Sequence, residues 1–239
     1  CNGCMGPAAT AASRVGRIAP PLGTSGLPVN TLPAPAAGRS SMALPWRTTG
    51  LVTAAAALYL VLGAAPGDWV FDRVAITGGE WWRLLTGHWV HSDLSHAGWD
   101  IAALLLFGAL FEARLQWRLP LVLLVASIGV DAWLWWGVPT LRYYCGLSGI
   151  LNALLVYGLV QLWRESRHPV VLLTGVGAAL KIVVEIGAGQ ALLTATAWPS
   201  VPTAHAAGFL CGLVAAAAGW SSVSGAYSER AVPHLASKA

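Results

Sequence analysis

Two residues with the chemistry of a nucleophile and a base lie in different apolar stretches of the chain. Ser148 stands between Leu147 and Gly149, at the point where a loop becomes an apolar run. The unpaired amides of a first helical turn favour negative charge, so this hydroxyl would lie beside a ready oxyanion site. A serine that only caps the helix would look the same, and the motif is not the Gly-x-Ser-x-Gly elbow of soluble hydrolases.

The second residue is His205, which is surrounded by Ala, Gly, Phe, Leu and Val. A histidine in such a run is costly unless another helix supplies a partner. Gly208 and Gly212, four residues apart, allow a neighbouring helix to approach closely. A contact with Ser148 would satisfy His205 and would join a nucleophile to its general base. The alternative is a histidine that only packs.

Further polar residues run from a loop into the second apolar segment: His88, His91, His96 and Asp100. His96 and Asp100, at i and i+4, share one helix face, and we expect them to point into the same cavity as Ser148. We expect no metal here, because the group contains no His-Glu-x-x-His pair.

Lys181 and Glu185 are also one helical turn apart, within the fifth apolar segment. Charges inside a span are expensive unless they are paired. We expect these two to neutralise each other as a structural pair.

The composition argues against a soluble fold. Of the 239 residues 56% are hydrophobic and only 10% are charged, against about 25% charged in soluble domains. The net charge of +4 lies at segment ends and forms no basic stripe, so we expect no nucleic-acid partner. The four cysteines, Cys1, Cys4, Cys145 and Cys211, form no disulfide or zinc framework, and no cofactor is expected.

Six apolar segments are each long enough to suggest a membrane-spanning helix: 48–65, 95–113, 119–138, 148–163, 169–187 and 203–220. The sequence therefore predicts an all-α membrane protein with six transmembrane helices. The aromatic stretch 81–90 is too short to span. We expect it to lie along the interface, as a loop between the first and second helices anchored by Trp81, Trp82 and Trp89.

Positive charges predict that both termini face the cytoplasm. With that orientation, ten Lys and Arg residues lie inside and Arg73, Arg83 and Arg142 lie outside. Setting aside Arg14, Arg17 and Lys238, which are far from any boundary, leaves seven inside against three.

The regions before and after the six apolar segments predict a division of the chain into three parts. Residues 1–45 contain no Asp or Glu and no apolar period, so we expect a disordered extension. Because the chain begins with Cys1, one interpretation is an over-extended gene start, with Met42 as a better start, and the other is a lipidated Cys1. We expect a membrane domain over 46–222 and a short cytoplasmic tail over 223–239.

Four motifs together resemble the rhomboid family of intramembrane serine proteases: Gly79-Glu-Trp-Trp-Arg-Leu-Leu-Thr86, His91-Ser-Asp-Leu-Ser-His96, Gly146-Leu-Ser-Gly149 and Ala204-His-Ala-Ala-Gly208. The resemblance covers about 66–220. It implies a catalytic dyad of Ser148 and His205, with no third acid evident in the sixth helix. It also implies oxyanion or supporting roles for His96, Asp100, Gly146 and Gly149, and structural roles for Trp82, Arg83, His91, Gly208 and Gly212.

Within the family, the compact core resembles the bacterial rhombosortase branch. That resemblance implies a multi-pass protein of the bacterial inner membrane. Its expected partners are the lipid bilayer and transmembrane substrate proteins, which would be secreted proteins with a C-terminal tail of Gly-Gly, a hydrophobic stretch and basic residues. The acyl-enzyme would be released by water or by an amine.

One residue departs from the family pattern, which typically has Asn where this sequence has Asp100. An ionised carboxylate would repel a developing oxyanion. Either the Asp100 carboxyl is protonated, or it faces His96 and orients that ring as a donor. We expect the second, with the Ser148 amide and His96 as the oxyanion donors.

Two other functions are compatible with parts of the pattern. A rhomboid-like protein that binds membrane segments without cleaving them would not need both Ser148 and His205, and such inactive relatives lose one or both. A small transporter could use Lys181 and Glu185 for ion coupling, but the chain has no internal repeat.

Overall fold

A computed structural model describes residues 45–192 and 194–219. Except for Pro45, the predicted N-terminal extension lies outside the described residues, and so does the predicted tail over 223–239.

The described chain is mostly helical, as predicted. Its α-helices are α1 (Trp46–Leu62), α2 (Arg73–Thr77), α3 (Arg83–Thr86), α4 (Leu94–Leu115), α5 (Arg118–Ala132), α6 (Ser148–Ser166), α7 (Pro169–Ala188) and α8 (Pro202–Ala218). A π-helical turn, Trp133–Gly137, continues α5. The six long helices occupy the six apolar segments, and the two short ones, α2 and α3, lie in the loop between α1 and α4.

Among residues 45–192 and 194–219, three helices meet the length and apolar composition needed to cross a membrane: α4, α5 with its π-helical turn, and α7. Helices α1 and α8 are apolar but contain 17 residues each. The number of six crossings therefore stays a prediction.

Glycines determine how closely α6 and α8 pack. A Cβ atom at Gly208 would overlap the carbonyl oxygen of Gly149, and one at Gly212 would overlap that of Ala153. Only glycine at these two positions lets the backbone of α8 lie directly against that of α6. The small-residue face expected from the sequence thus contacts the helix that begins at Ser148.

A short two-stranded sheet ties the first loop to the residues before α6. Strand β1 (Phe71–Asp72) pairs antiparallel with β2 (Tyr143–Tyr144), and Phe71 lies opposite Tyr144. Two residues a strand are too few to show an alternating pattern, so the sequence did not predict the sheet. Through it the loop after α1 fixes the approach to Ser148.

Arg83 organises the same loop from a buried position. Its guanidinium donates to Glu80 Oε2 at 2.7 Å, to the Val70 carbonyl oxygen at 3.1 Å and to the Gly67 carbonyl oxygen. Trp82 is half exposed and its indole N–H donates to the Asp68 carbonyl oxygen at 3.2 Å. Both side chains therefore bind the backbone of the loop between α1 and α4.

We predict that Gly208→Ala destabilises the protein, because the added Cβ would push α8 away from α6. Overpacking of this kind typically costs about 1–3 kcal/mol. Gly177→Ala is the matched control, since a Cβ at Gly177 in α7 meets nothing within 4 Å. Thermal unfolding midpoints in detergent should fall for Gly208→Ala and stay level or rise for Gly177→Ala. Equal midpoints for the two variants would contradict the close packing.

Candidate active site

Ser148 and His205 meet at the start of two helices. Ser148 is the first residue of α6 and His205 lies in the first turn of α8, and the serine Oγ is 2.9 Å from His205 Nε2 across 57 residues of sequence. The contact lies beside the Gly149–Gly208 packing described above, so the glycines bring the two side chains together. A hydroxyl hydrogen-bonded to an imidazole is the arrangement of a nucleophile and its general base.

The other ring nitrogen of His205 has an acidic partner. Its Nδ1 is 2.9 Å from Oε2 of Glu185, a buried residue of α7. This corrects the expectation of a histidine without an orienting acid, because the acid lies in a different helix from His205. The predicted Lys181–Glu185 pair is also present, at 2.6 Å, but it uses the other carboxylate oxygen. The i, i+4 spacing gave no sign that Glu185 reaches a second helix.

Asp100 belongs to α4, and its side chain reaches the N-terminus of α6. Its Oδ2 accepts hydrogen bonds from the backbone amides of Leu147 at 2.7 Å and Ser148 at 3.2 Å. The same oxygen is 3.4 Å from His96 Nε2, so the expected contact with His96 is present. The carboxylate therefore occupies the point where the expected oxyanion donors converge, a position that the sequence did not predict.

His96 is held from its other side by the loop before α4. Its Nδ1 is 3.1 Å from Ser92 Oγ, which donates to Asp93 at 2.8 Å. Asp93 caps α4 by accepting from the His96 amide at 2.9 Å, and it also accepts from the Ala197 amide at 2.7 Å. These residues fix the His96 ring and tie the loop before α8 to α4.

The charge of Asp93 makes this tie dependent on pH. Burial alone would raise the pKa of Asp93, but hydrogen bonds from the amides of Ala197 and His96 hold it below its usual value. A carboxyl whose pKa is lowered by folding stabilises the fold above its unfolded pKa, and that stabilisation is lost as pH falls through the folded pKa. The tie is therefore intact at neutral pH.

The other two histidines of the predicted polar group, His88 and His91, lie in different parts of the structure. His91 is fully buried, with Nε2 3.2 Å from Asp100 Oδ2, so it lies behind Asp100. His88 faces α5, where its Nε2 is 3.2 Å from Asp131 Oδ1. Within the described ranges, no three His, Cys, Asp or Glu side chains are placed to hold a metal ion.

Two glycines leave room for the site. Gly146 has a φ of +112°, and a Cβ there would overlap the imidazole of His96. A Cβ at Gly149 would lie 2.9 Å from the Tyr144 hydroxyl. Any larger residue at Gly146 would be strained and would displace His96. A side chain at Gly149 would crowd Tyr144, so each of the two positions favours glycine.

Ser148 and His205 line a cavity of about 320 Å³. Apolar and aromatic side chains from three helices, strand β2 and the loop before α8 form most of its wall: Trp99, Ala103, Phe107, Tyr143, Leu151, Leu155, Ala178 and Trp198. Cys145 also lines it, but burial and the charges of Asp100 and Asp93 raise the pKa of its thiol to about 12. Since the thiolate is the reactive form, Ser148 is the better nucleophile in this cavity.

The sequence matches a family model described as the rhomboid domain over residues 78–222. This match covers more than half of the chain and includes every residue of the cavity wall. Comparison with curated proteins found no significant match.

We predict that Asp100→Asn keeps or increases the rate at which a fluorophosphonate reacts with Ser148. The substitution removes negative charge from the point where the phosphonyl oxygen would bind, while the amide oxygen can still accept from Leu147. Asp131→Asn is the matched control, because Asp131 also contacts a buried histidine but lies outside the cavity. A loss of labelling in Asp100→Asn alone would show that the reaction needs the carboxylate.

Proposed function

Because this chain belongs to the rhomboid family, whose members are in general intramembrane serine proteases, we propose that it is a serine endopeptidase that cleaves membrane segments of other proteins. The observation that carries the proposal is the 2.9 Å contact between Ser148 Oγ and His205 Nε2 at the wall of a cavity. The same contact is the reason to prefer an enzyme to a non-cleaving binding protein, which would need neither group.

In the proposed reaction, His205 Nε2 takes the proton of Ser148 as its oxygen attacks the scissile carbonyl. The tetrahedral intermediate collapses to an acyl-enzyme, and His205 gives the proton to the leaving amine. His205 then removes a proton from the attacking water, or from an amine in a sorting reaction. Attack on the acyl-enzyme restores the Ser148 hydroxyl and releases the acyl group.

The oxyanion would take over the hydrogen bonds that Asp100 Oδ2 now receives. The amides of Leu147 and Ser148 donate to that oxygen, and His96 Nε2 lies 3.4 Å from it. Fixed donors of this kind contribute about 2.7–4 kcal/mol each to transition-state stabilisation. We propose that Asp100 gives up this position when a substrate carbonyl enters.

We propose that substrates enter from the membrane between α4 and α7. The cavity reaches Ala103 and Phe107 of α4 and Ala178 of α7. The first half of α7, up to Leu180, has only Val171 buried, so few contacts oppose a displacement of that half while Glu185 keeps its place. A substrate helix must unwind before attack, because its backbone is otherwise hydrogen-bonded to itself.

We further propose that the substrates are secreted proteins with Gly-Gly tails, as in the rhombosortase branch. Glycine weakens a helix by about 1 kcal/mol relative to alanine, which would favour unwinding at the cleavage site. A cavity of about 320 Å³ lined by aromatic side chains would admit such small residues. In this proposal all six long helices cross a bacterial inner membrane, with both termini inside.

We expect an activity-based fluorophosphonate probe to label the wild-type protein in membranes, and to label neither Ser148→Ala nor His205→Ala. The first variant removes the atom that would be phosphonylated and the second removes its base. In-gel fluorescence at equal protein amounts measures the outcome. A fluorescence signal that survives both substitutions would rule out the proposed serine protease function.

The substrate class can be tested in cells that secrete Gly-Gly-tailed proteins. In a strain lacking this protein, mass spectrometry should find the tails retained, and wild-type but not Ser148→Ala should restore their removal. Complete tail removal in the deletion strain would refute this substrate class while leaving the chemistry of the site untouched.

A further inference from the structure

The carboxylate of Glu185 makes three hydrogen bonds, and each comes from a different part of the fold. Oε1 accepts from Lys181 Nζ at 2.6 Å and from the Leu192 amide at 3.0 Å. Oε2 lies 2.9 Å from His205 Nδ1. The residue is 0% exposed. A buried carboxylate with this many donors is fixed in position, whereas a buried charge with one missing partner would be strongly unfavourable.

This contact determines which nitrogen of His205 carries the proton. A carboxylate only accepts hydrogen bonds, so in the 2.9 Å contact the N–H must lie on Nδ1. In the neutral ring Nε2 is then the acceptor, and it faces Ser148 Oγ. That is the tautomer that a general base needs.

From this geometry we infer that Glu185 is a positioning residue that completes a Ser148–His205–Glu185 triad across α6, α8 and α7. This inference rests on the proposed protease function. Glu185 holds the imidazole in the Nδ1–H tautomer and stabilises the imidazolium that forms when His205 takes the serine proton. The proton itself stays on His205 throughout, and Glu185 remains a carboxylate.

Lys181 has a supporting part in the same arrangement. Its side chain is 34% exposed, and its ammonium contacts Oε1, the oxygen of Glu185 that does not contact His205. A pair that served only packing would use both carboxylate oxygens for Lys181 or for backbone. Here Oε2 is left for the base, while Lys181 and the Leu192 amide compensate the burial of the charge.

The test compares kcat and KM of Glu185→Gln with the wild type in proteoliposomes, using a transmembrane substrate that the wild type cleaves. Gln is isosteric but can donate to Nδ1, which favours the wrong tautomer, and loss of the acid in a Ser–His–Asp triad costs about 10⁴-fold in kcat. We expect kcat to fall at least about 100-fold with KM within about twofold, and Glu185→Asp to recover part of the loss.

Glu112→Gln is the matched control. Glu112 is a buried carboxylate that also accepts backbone hydrogen bonds, from the amides of Arg47 and Thr48, but it holds the start of α1 and does not line the cavity. We expect it to lower the thermal midpoint and to leave kcat within about twofold. If Glu185→Gln also keeps kcat within about twofold, the triad is wrong.

A spectroscopic measurement decides the matter even if Glu185→Gln does not fold. Imidazole ¹⁵N shifts of His205 in the wild-type protein, read through the carbon-bound ring protons, should report the Nδ1–H tautomer at neutral pH. An Nε2–H tautomer would overturn the inference. The two proposals can fail separately. Full proteolysis by Ser148→Ala would refute the proposed serine protease function. An inactive Ser148→Ala together with an unimpaired Glu185→Gln would refute only the triad.

Discussion

The close packing of α6 against α8 is the constraint on which the site depends. Gly208 lies against the carbonyl oxygen of Gly149, and the neighbouring side chains of Ser148 and His205 meet at 2.9 Å. A helix separation larger by the width of a methyl group would break that hydrogen bond. The nucleophile and its base are therefore placed by backbone contact, not by their own side-chain preferences.

Buried carboxylates also fix the helices relative to one another, since each one hydrogen-bonds to groups of another helix. Glu112 of α4 accepts from the first amides of α1, and Asp100 of the same helix accepts from the first amides of α6. Glu185 of α7 reaches His205 of α8. Helix N-termini have unpaired amides, so carboxylates from neighbouring helices both cap them and fix their positions. At Asp100 this capping coincides with the expected oxyanion site.

Much of this architecture could be predicted from the sequence, because long apolar segments have few alternatives to helices. Ser148 and His205 could be paired because each is a polar residue with no local partner in an apolar run. The role of Glu185 could not be predicted in this way, since Lys181 at i−4 already accounted for its charge. The contact of Asp100 with the amides of α6 joins residues 47 and 48 positions apart, which no local pattern predicts, and the β1–β2 pairing is too short to leave a periodic pattern.

Ser148 is the nucleophile of the proposed reaction, and the position of a covalent adduct would test this role. The wild-type protein would be reacted with a fluorophosphonate in membranes, digested, and sequenced by tandem mass spectrometry. We predict the phosphonyl group on Ser148 alone. Ser200 also lines the cavity and is the natural competitor. An adduct on Ser200, or no adduct on the peptide that contains Ser148, would show that Ser148 is not the nucleophile.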